Sequence, residues 1–313
     1  MTARGSLLAA AVFLAALTLP LWMDQSFLIP LLFRVAIFAV VGIAWNLLGG
    51  YAGQLSLGHA AYFGLGAYGF SLSHASHGVG LWLSLLLGSA VACAAALLIG
   101  SVTFRLRGPY FALSTIAAAE IVRVIALNSS FTNGAIGVLS PSLFTNPGVD
   151  AKYYATAMLL LAVALAFASW THRSRFGYYL RAIREDEDTA IAVGIDPARY
   201  KLLALLPSAA LTGLAGGLYA SFSQFVGPES VLTIDISVQA VIVAMLGGVA
   251  TPWGPVVGSV VLALSSEGFK AIFQEGHLLI YGSLLVAIVL FLPDGLVSLP
   301  RRIAHIRRRK AGP

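Results

Sequence analysis

The sequence predicts an all-α fold: a polytopic membrane helix bundle of about 8–10 transmembrane helices, with glycine-interrupted segments and one short helix in a polar cytoplasmic insert. Three observations lead there. Of the 313 residues, 58% are hydrophobic and 10% charged, with a mean hydropathy of +0.87, more apolar surface than a soluble domain of this size hides. The apolar residues fall in runs of roughly 20, the length that crosses a hydrocarbon core. The Lys and Arg residues gather in a few short stretches between those runs, which is how topology signals are distributed. That clustering also excludes nucleic acid as the reason for a pI near 9.6. The whole chain, 1–313, reads as one transmembrane domain.

In chain order the candidate spans cover 6–22, 27–48, 54–72, 81–104, 109–127, 153–170, 202–225, 236–250, 255–272 and 278–299. The first follows Arg4 and lacks a convincing A-x-A cleavage site, so it reads as an uncleaved span rather than a signal peptide. The second holds Arg34 near one end, where a long cationic side chain snorkels. The third and eighth are interrupted by Gly, Ser, His and Gln. Arg4, Arg105 and Arg107, the insert 171–201 and the tail 301–310 together hold 15 of the 19 Lys and Arg. The positive-inside rule places all four in the cytoplasm, and ten spans, or eight with two re-entrant segments, satisfy this with both termini inside. The longest outer loop, Asn128–Lys152, carries a turn cluster at 132–137. It is too short for a receptor domain, so any soluble receptor is a separate chain.

The insert Thr171–Arg199 is the longest charged segment. Arg181 and Arg184 precede the acids Glu185–Asp188, and Ala190, Ile191 and Val193 follow. Acids favour a helix N-terminus, Gly194 can end the helix, and Pro197 blocks its continuation. The pattern predicts a short helix lying along the membrane surface, which is either a docking element for another protein or a solvated segment that only sets topology. The stretch Asn46–Tyr68 is the second concentration of signal. Its glycines at 49, 50, 53, 58, 64 and 66 allow close helix approach. Gln54, Ser56 and His59 are polar groups at membrane depth, which usually face a bundle interior or a water-filled path. Glu120 with Arg123, and Glu267 with Lys270, are three residues apart and can neutralise each other on one helix face. Leu48-Gly49-Gly50 is echoed by Leu246-Gly247-Gly248, a hint of an inverted repeat. Cys93 reads as a small core residue, and His74 and His77 as ordinary loop polarity.

Residues 188–207 resemble the EAA loop of ABC-importer permeases: Asp188-Thr189-Ala190, then Gly194, then Leu206-Pro207 at the family's spacing, with Asp for Glu and Thr for the first Ala. The Asn46–Tyr68 stretch resembles the signature of LivM-like permeases, the branched-chain amino acid subfamily of ABC importers. The likeness continues through Gly108–Thr115, Tyr178–Arg184, Ala192–Asp196, Tyr200–Ala204, Ser208–Ala220, Leu246–Gly248 and Val289–Leu296, covering roughly 30–300. Two departures are Thr132-Asn133-Gly134, where the family often has Thr-Gly-Gly, and Gly247–Thr251 with Pro252-Trp253, a turn that belongs either to the outer mouth or to a helix break.

The resemblance implies a path for branched-chain or related amino acids, with alternating access driven by ATP. Its path residues would be Gln54, Ser56, His59, Tyr62, Asn133 and Gly134. Arg181, Arg184, Glu187, Asp188, Ala190 and Gly194 would couple to ATPases. It also implies a second homologous permease, two cytoplasmic ABC ATPase subunits that bind ATP and Mg, an extracytoplasmic solute-binding protein and surrounding membrane lipid. The chain itself would hold no cofactor or metal and have no nucleic-acid partner, and the location would be a bacterial inner membrane. Urea and short-chain amide permeases share the pattern. The competing class is an ion-coupled carrier using Glu120 or Glu267. The sequence contains no P-loop and no zincin, nucleophile-elbow or Cys-x-x-Cys motif, which argues against an enzyme.

Overall fold

The computed structural model describes residues 28–144, 149–272 and 295–298. The expected spans 6–22 and almost all of 278–299, and the basic tail, lie outside the described residues. Helix α1 covers Leu28–Trp45 and passes into a π-helical turn, Asn46–Tyr51. Then come α2 (His59–His77), α3 (Leu81–Thr103), α4 (Pro109–Asn128), α5 (Val149–Arg173), α6 (Arg175–Glu185), α7 (Glu187–Ala192), α8 (Pro197–Ser223), α9 (Pro228–Val231), α10 (Ile234–Gly247) and α11 (Gly254–Ile272). Among the described residues six helical stretches are long and apolar enough to cross a membrane: Leu28–Tyr51, Leu81–Thr103, Pro109–Asn128, Asp150–Arg173, Pro197–Ser223 and Pro228–Gly247.

Helix α2 is not among the six, and the third expected span is corrected: it begins at His59, not at 54. Its composition follows from its place. It lies between α3 and α8, with Ala60, Ala61, Tyr62, Phe63, Ala67 and Phe70 all buried, so it presents little surface to lipid and needs no uniformly apolar face. Small residues bring the three backbones together. A Cβ on Gly66 would lie 2.2 Å from the Gly213 carbonyl oxygen, and one on Gly88 would lie 2.4 Å from that of Gly66.

A second group, α1, α5, α10 and α11, packs around α1 and joins α8 through it. Phe33 of α1 meets Phe222 of α8 at 4.3 Å between ring centroids. Tyr153 closes the cluster, its hydroxyl donating to the Ser221 carbonyl (2.9 Å) and accepting from the Leu143 amide (2.9 Å). Helix α4 stands at the edge, with Leu113, Ile121 and Ile125 about 60% exposed. One small departure from an all-helical chain is a pair of two-residue antiparallel strands, β1 (Val138–Leu139) and β2 (Phe225–Val226), registering Val138 with Val226.

The insert is two helices rather than one. Asp186 is extended (φ −158°, ψ 117°), ends α6, and caps α7 by accepting from the Thr189 amide at 2.5 Å. A run of four acids is a poor helix interior, and its second member satisfies an orphan amide better from outside the helix.

Candidate functional site

Two elements carry the functional signal, and they meet at one end of the bundle. The first is the interruption between α1 and α2. The chain leaves α-helical geometry at Asn46, and Gly53 adopts the left-handed region (φ +69°). The chain then runs without regular structure over Ala52–Gly58. Backbone groups freed in an apolar bundle need other partners, and hydroxyls from distant helices supply them. The Leu57 amide donates to Thr115 Oγ1 (3.0 Å) and the Ala60 amide to Ser237 Oγ (2.8 Å). The Trp45 indole donates to the Ser56 carbonyl at 2.7 Å.

Buried His59 opens α2. Ser208 Oγ lies 2.6 Å from the Ala44 carbonyl and 2.9 Å from His59 Nε2. Its single proton goes to the carbonyl, so it accepts from Nε2–H. His59 Nδ1 is then a buried acceptor with no hydrogen-bond partner among the described residues. Tyr62, also buried, stands edge-on to the imidazole at 5.8 Å. Thus Gln54, Ser56, His59 and Tyr62 fall in one stretch, with Ser56, His59 and Tyr62 buried, Gln54 partly buried and Leu55 exposed.

Asn133 and Gly134 do not join them. They form a left-handed turn (φ 59° and 57°) beyond the far end of α4, and about 20 Å of helix separates Thr115 from that end. Asn133 Nδ2 donates to the Gly137 carbonyl (3.1 Å), which shapes the turn. The same end holds an ion-pair group. Arg123 binds Glu120 as expected (2.6 Å) and also Glu229 of α9 (2.6 Å). Glu267 and Lys270 fall on α11, and the side chain of Lys270 lies outside the described residues.

The second element is the insert. Arg184 Nη1 donates to the Gly50 carbonyl at 2.8 Å, which ties α6 to the π-helical turn. Arg181 Nη1 donates to the His172 carbonyl (3.2 Å), and Tyr51 and His172 are 3.3 Å apart. Helix α7 is held from two sides. Arg107, from the α3–α4 turn, reaches Asp188 at 2.9 Å and Glu187 at 3.8 Å. Lys201 Nζ reaches Glu187 Oε2 at 2.7 Å. Hydrogen bonding and charge from Asp188 raise the Arg107 pKa. Ala190 is buried, while Tyr178 (67%), Ile191 (48%) and Val193 (70%) are exposed. Gly194 ends the element at φ +86° with open space around it.

Sequence reasoning misses Lys201: charge clustering groups it with the loop cations, yet its side chain is 1% exposed. The clue was helical spacing: Lys201, Ala204, Leu205 and Ser208 share one buried face of α8. Asn46 was also missed. Its Nδ2 donates to the Thr251 carbonyl and its Oδ1 accepts from the Ala250 amide, both at 2.9 Å. This joins the two Leu-Gly-Gly echoes, so the 247–251 turn is a helix break at the same end of the bundle as the insert, away from Asn133 and Gly134.

Comparison with known proteins finds relatives over most of the chain. Residues 27–291 match the family model described as branched-chain amino acid transport system / permease component. The permease protein LivM of a high-affinity branched-chain amino acid transport system in Salmonella typhimurium is 33% identical over 293 residues, covering 85% of this chain and 68% of that protein. LivH, named for the same system there, is 25% identical over 84% of this chain and 92% of its own length. NupC of Lactococcus lactis, a nucleoside ABC transporter permease protein, is 28% identical over 58% of this chain and 61% of its own. The chain, a multi-pass helical membrane protein with a two-helix insert pinned to its first helix break, belongs to the family of branched-chain amino acid transport system permease components.

Proposed function

We propose that this chain is the transmembrane subunit of an ATP-binding-cassette importer and forms part of the path for branched-chain or related amino acids. The observation that carries the reading is the state of α7. It is fixed to the bundle through Glu187, Asp188 and buried Ala190, yet it presents Ile191 and Val193 outward beside the open Gly194. A short helix held rigidly at its base and apolar at its tip fits a docking element for another protein.

The partner would be an ABC ATPase on the cytoplasmic face of a bacterial inner membrane. ATP and Mg would bind there, and this chain would contribute no nucleotide site. A second homologous permease would complete the path, an extracytoplasmic binding protein would deliver the solute, and membrane lipid would surround the assembly. Both termini would face the cytoplasm. Gln54, Ser56, His59 and Tyr62 are the path residues favoured by position. Asn133 and Gly134, at the far end, would shape the outer mouth. Glu120, held by Arg123, is poorly placed as a free proton carrier.

Affinity purification of the tagged chain in detergent, followed by mass spectrometry, tests this. A P-loop ATPase and a second permease are expected, with the ATPase lost on Gly194→Asp and kept on Glu120→Gln. A chain that purifies alone, or keeps its ATPase in G194D, would contradict the proposal.

A further inference from the structure

We propose that Asn46 is a positioning residue that carries movement of the insert to the second glycine-rich break, Gly247–Gly254; this rests on the docking role of the insert proposed above. Two hydrogen bonds from one buried side chain (1% exposed) clamp the Ala250–Thr251 backbone to the π-helical turn. On the other side of the same turn, Arg184 of α6 holds the Gly50 carbonyl. The turn is therefore gripped by the insert and by the α10–α11 break at once, only four residues apart in sequence.

Glycine at 50 is required by this arrangement. A Cβ there would lie 1.8 Å from Asn46 Oδ1 and 2.9 Å from the Ala250 amide nitrogen. The side beside Arg184 is also filled, since a Cβ on Gly53 would lie 2.8 Å from Arg184 Cγ. The far segment is internally stiff. Thr251 Oγ1 donates to the Gly248 carbonyl (2.7 Å) and accepts from the Gly254 amide (3.1 Å), and a Cβ on Gly247 would overlap the Gly254 carbonyl. A pull on Gly50 thus reaches a compact turn as a unit, and through it the adjoining ends of α10 and α11. π-Helical turns recur where a helix must change shape in function.

The test uses the purified importer, with its partner subunits, in liposomes, and measures ATP hydrolysed per solute transported. Asn46→Asp keeps the shape and the acceptor but loses the donor to Thr251. Gly50→Ala displaces the same side chain from the other direction. Both are expected to raise the ratio at least fivefold with normal recovery of the ATPase subunits. The double variant should be no worse than either single one, because both break one joint. An unchanged ratio in either variant, or multiplicative effects in the double, would overturn the proposal. So would loss of assembly in Asn46→Asp, which would make Asn46 a folding residue. Gly194→Asp is measured in parallel. If it leaves the ATPase bound, the docking reading fails; if it releases the ATPase while the Asn46 variants stay coupled, only the joint fails.

Discussion

Lys201 and Glu187 make an unequal pair, and the inequality predicts an unequal response to mutation. The Lys201 side chain is 1% exposed and that of Glu187 22%. Glu187→Ala leaves an ammonium group in a buried site without its counter-charge, which costs about 3–5 kcal/mol. Lys201→Met removes the buried charge and keeps most of the apolar stem. Glu187 then retains some water and Arg107 at 3.8 Å, so the loss is about 1 kcal/mol or less. Local opening around α7 is read by the rate of tryptic cleavage at Arg184 and Arg199 when reclosing is fast. At 1.36 kcal/mol per tenfold change, E187A should be cut on the order of a few hundred- to a few thousandfold faster than the parent and K201M within about tenfold of it. The double variant E187A/K201M should resemble K201M. Equal rates for the two single variants, or a slower E187A, would refute the reasoning.

Three other predictions follow the same logic. Gly66→Ala forces a methyl group against the Gly213 backbone, which cannot rotate away. A loss of about 2 kcal/mol is expected, and unchanged thermal stability in detergent would contradict the close approach. Ser208→Ala strips His59 Nε2 and the Ala44 carbonyl of their partner. It should cost about 1–3 kcal/mol, and a second change of His59→Phe in that background should cost little more. The Thr189 amide bond, the largest influence, holds the Asp186 carboxyl below its ordinary value of 3.8. A depressed folded pKa stabilises the cap above 3.8 and is lost as pH falls through the lower folded value. The Thr189 amide resonance should titrate with a midpoint below 3.8, and a midpoint at or above it would show no cap.

Hydropathy located the lipid-facing helices well because it measures what lipid selects. It placed α3 and α4 within one residue and α5 within four. It found α2 but set it five residues early at each end: a helix enclosed by α3 and α8 answers to packing, and its glycines and His59 depress the apolar average without harming the fold. The π-helical turn was visible only as a glycine cluster, since its geometry depends on Asn46 meeting residues about 200 positions away. The acid run and Gly194 announced α7 correctly. The break at Asp186 was missed because only the cap geometry shows that the acid lies outside the helix. Asn133 and Gly134 were legible as a turn, but chain distance does not reveal which end of the bundle a turn occupies.

The central claim is that this chain moves solute only as part of an ATP-driven assembly. Uptake of radiolabelled leucine into liposomes holding the purified complex, with binding protein outside and ATP enclosed, measures it directly. Uptake that requires enclosed ATP and vanishes in Gly194→Asp is the predicted result. Uptake by this chain alone under an ion gradient, indifferent to ATP and to Gly194, would contradict the account.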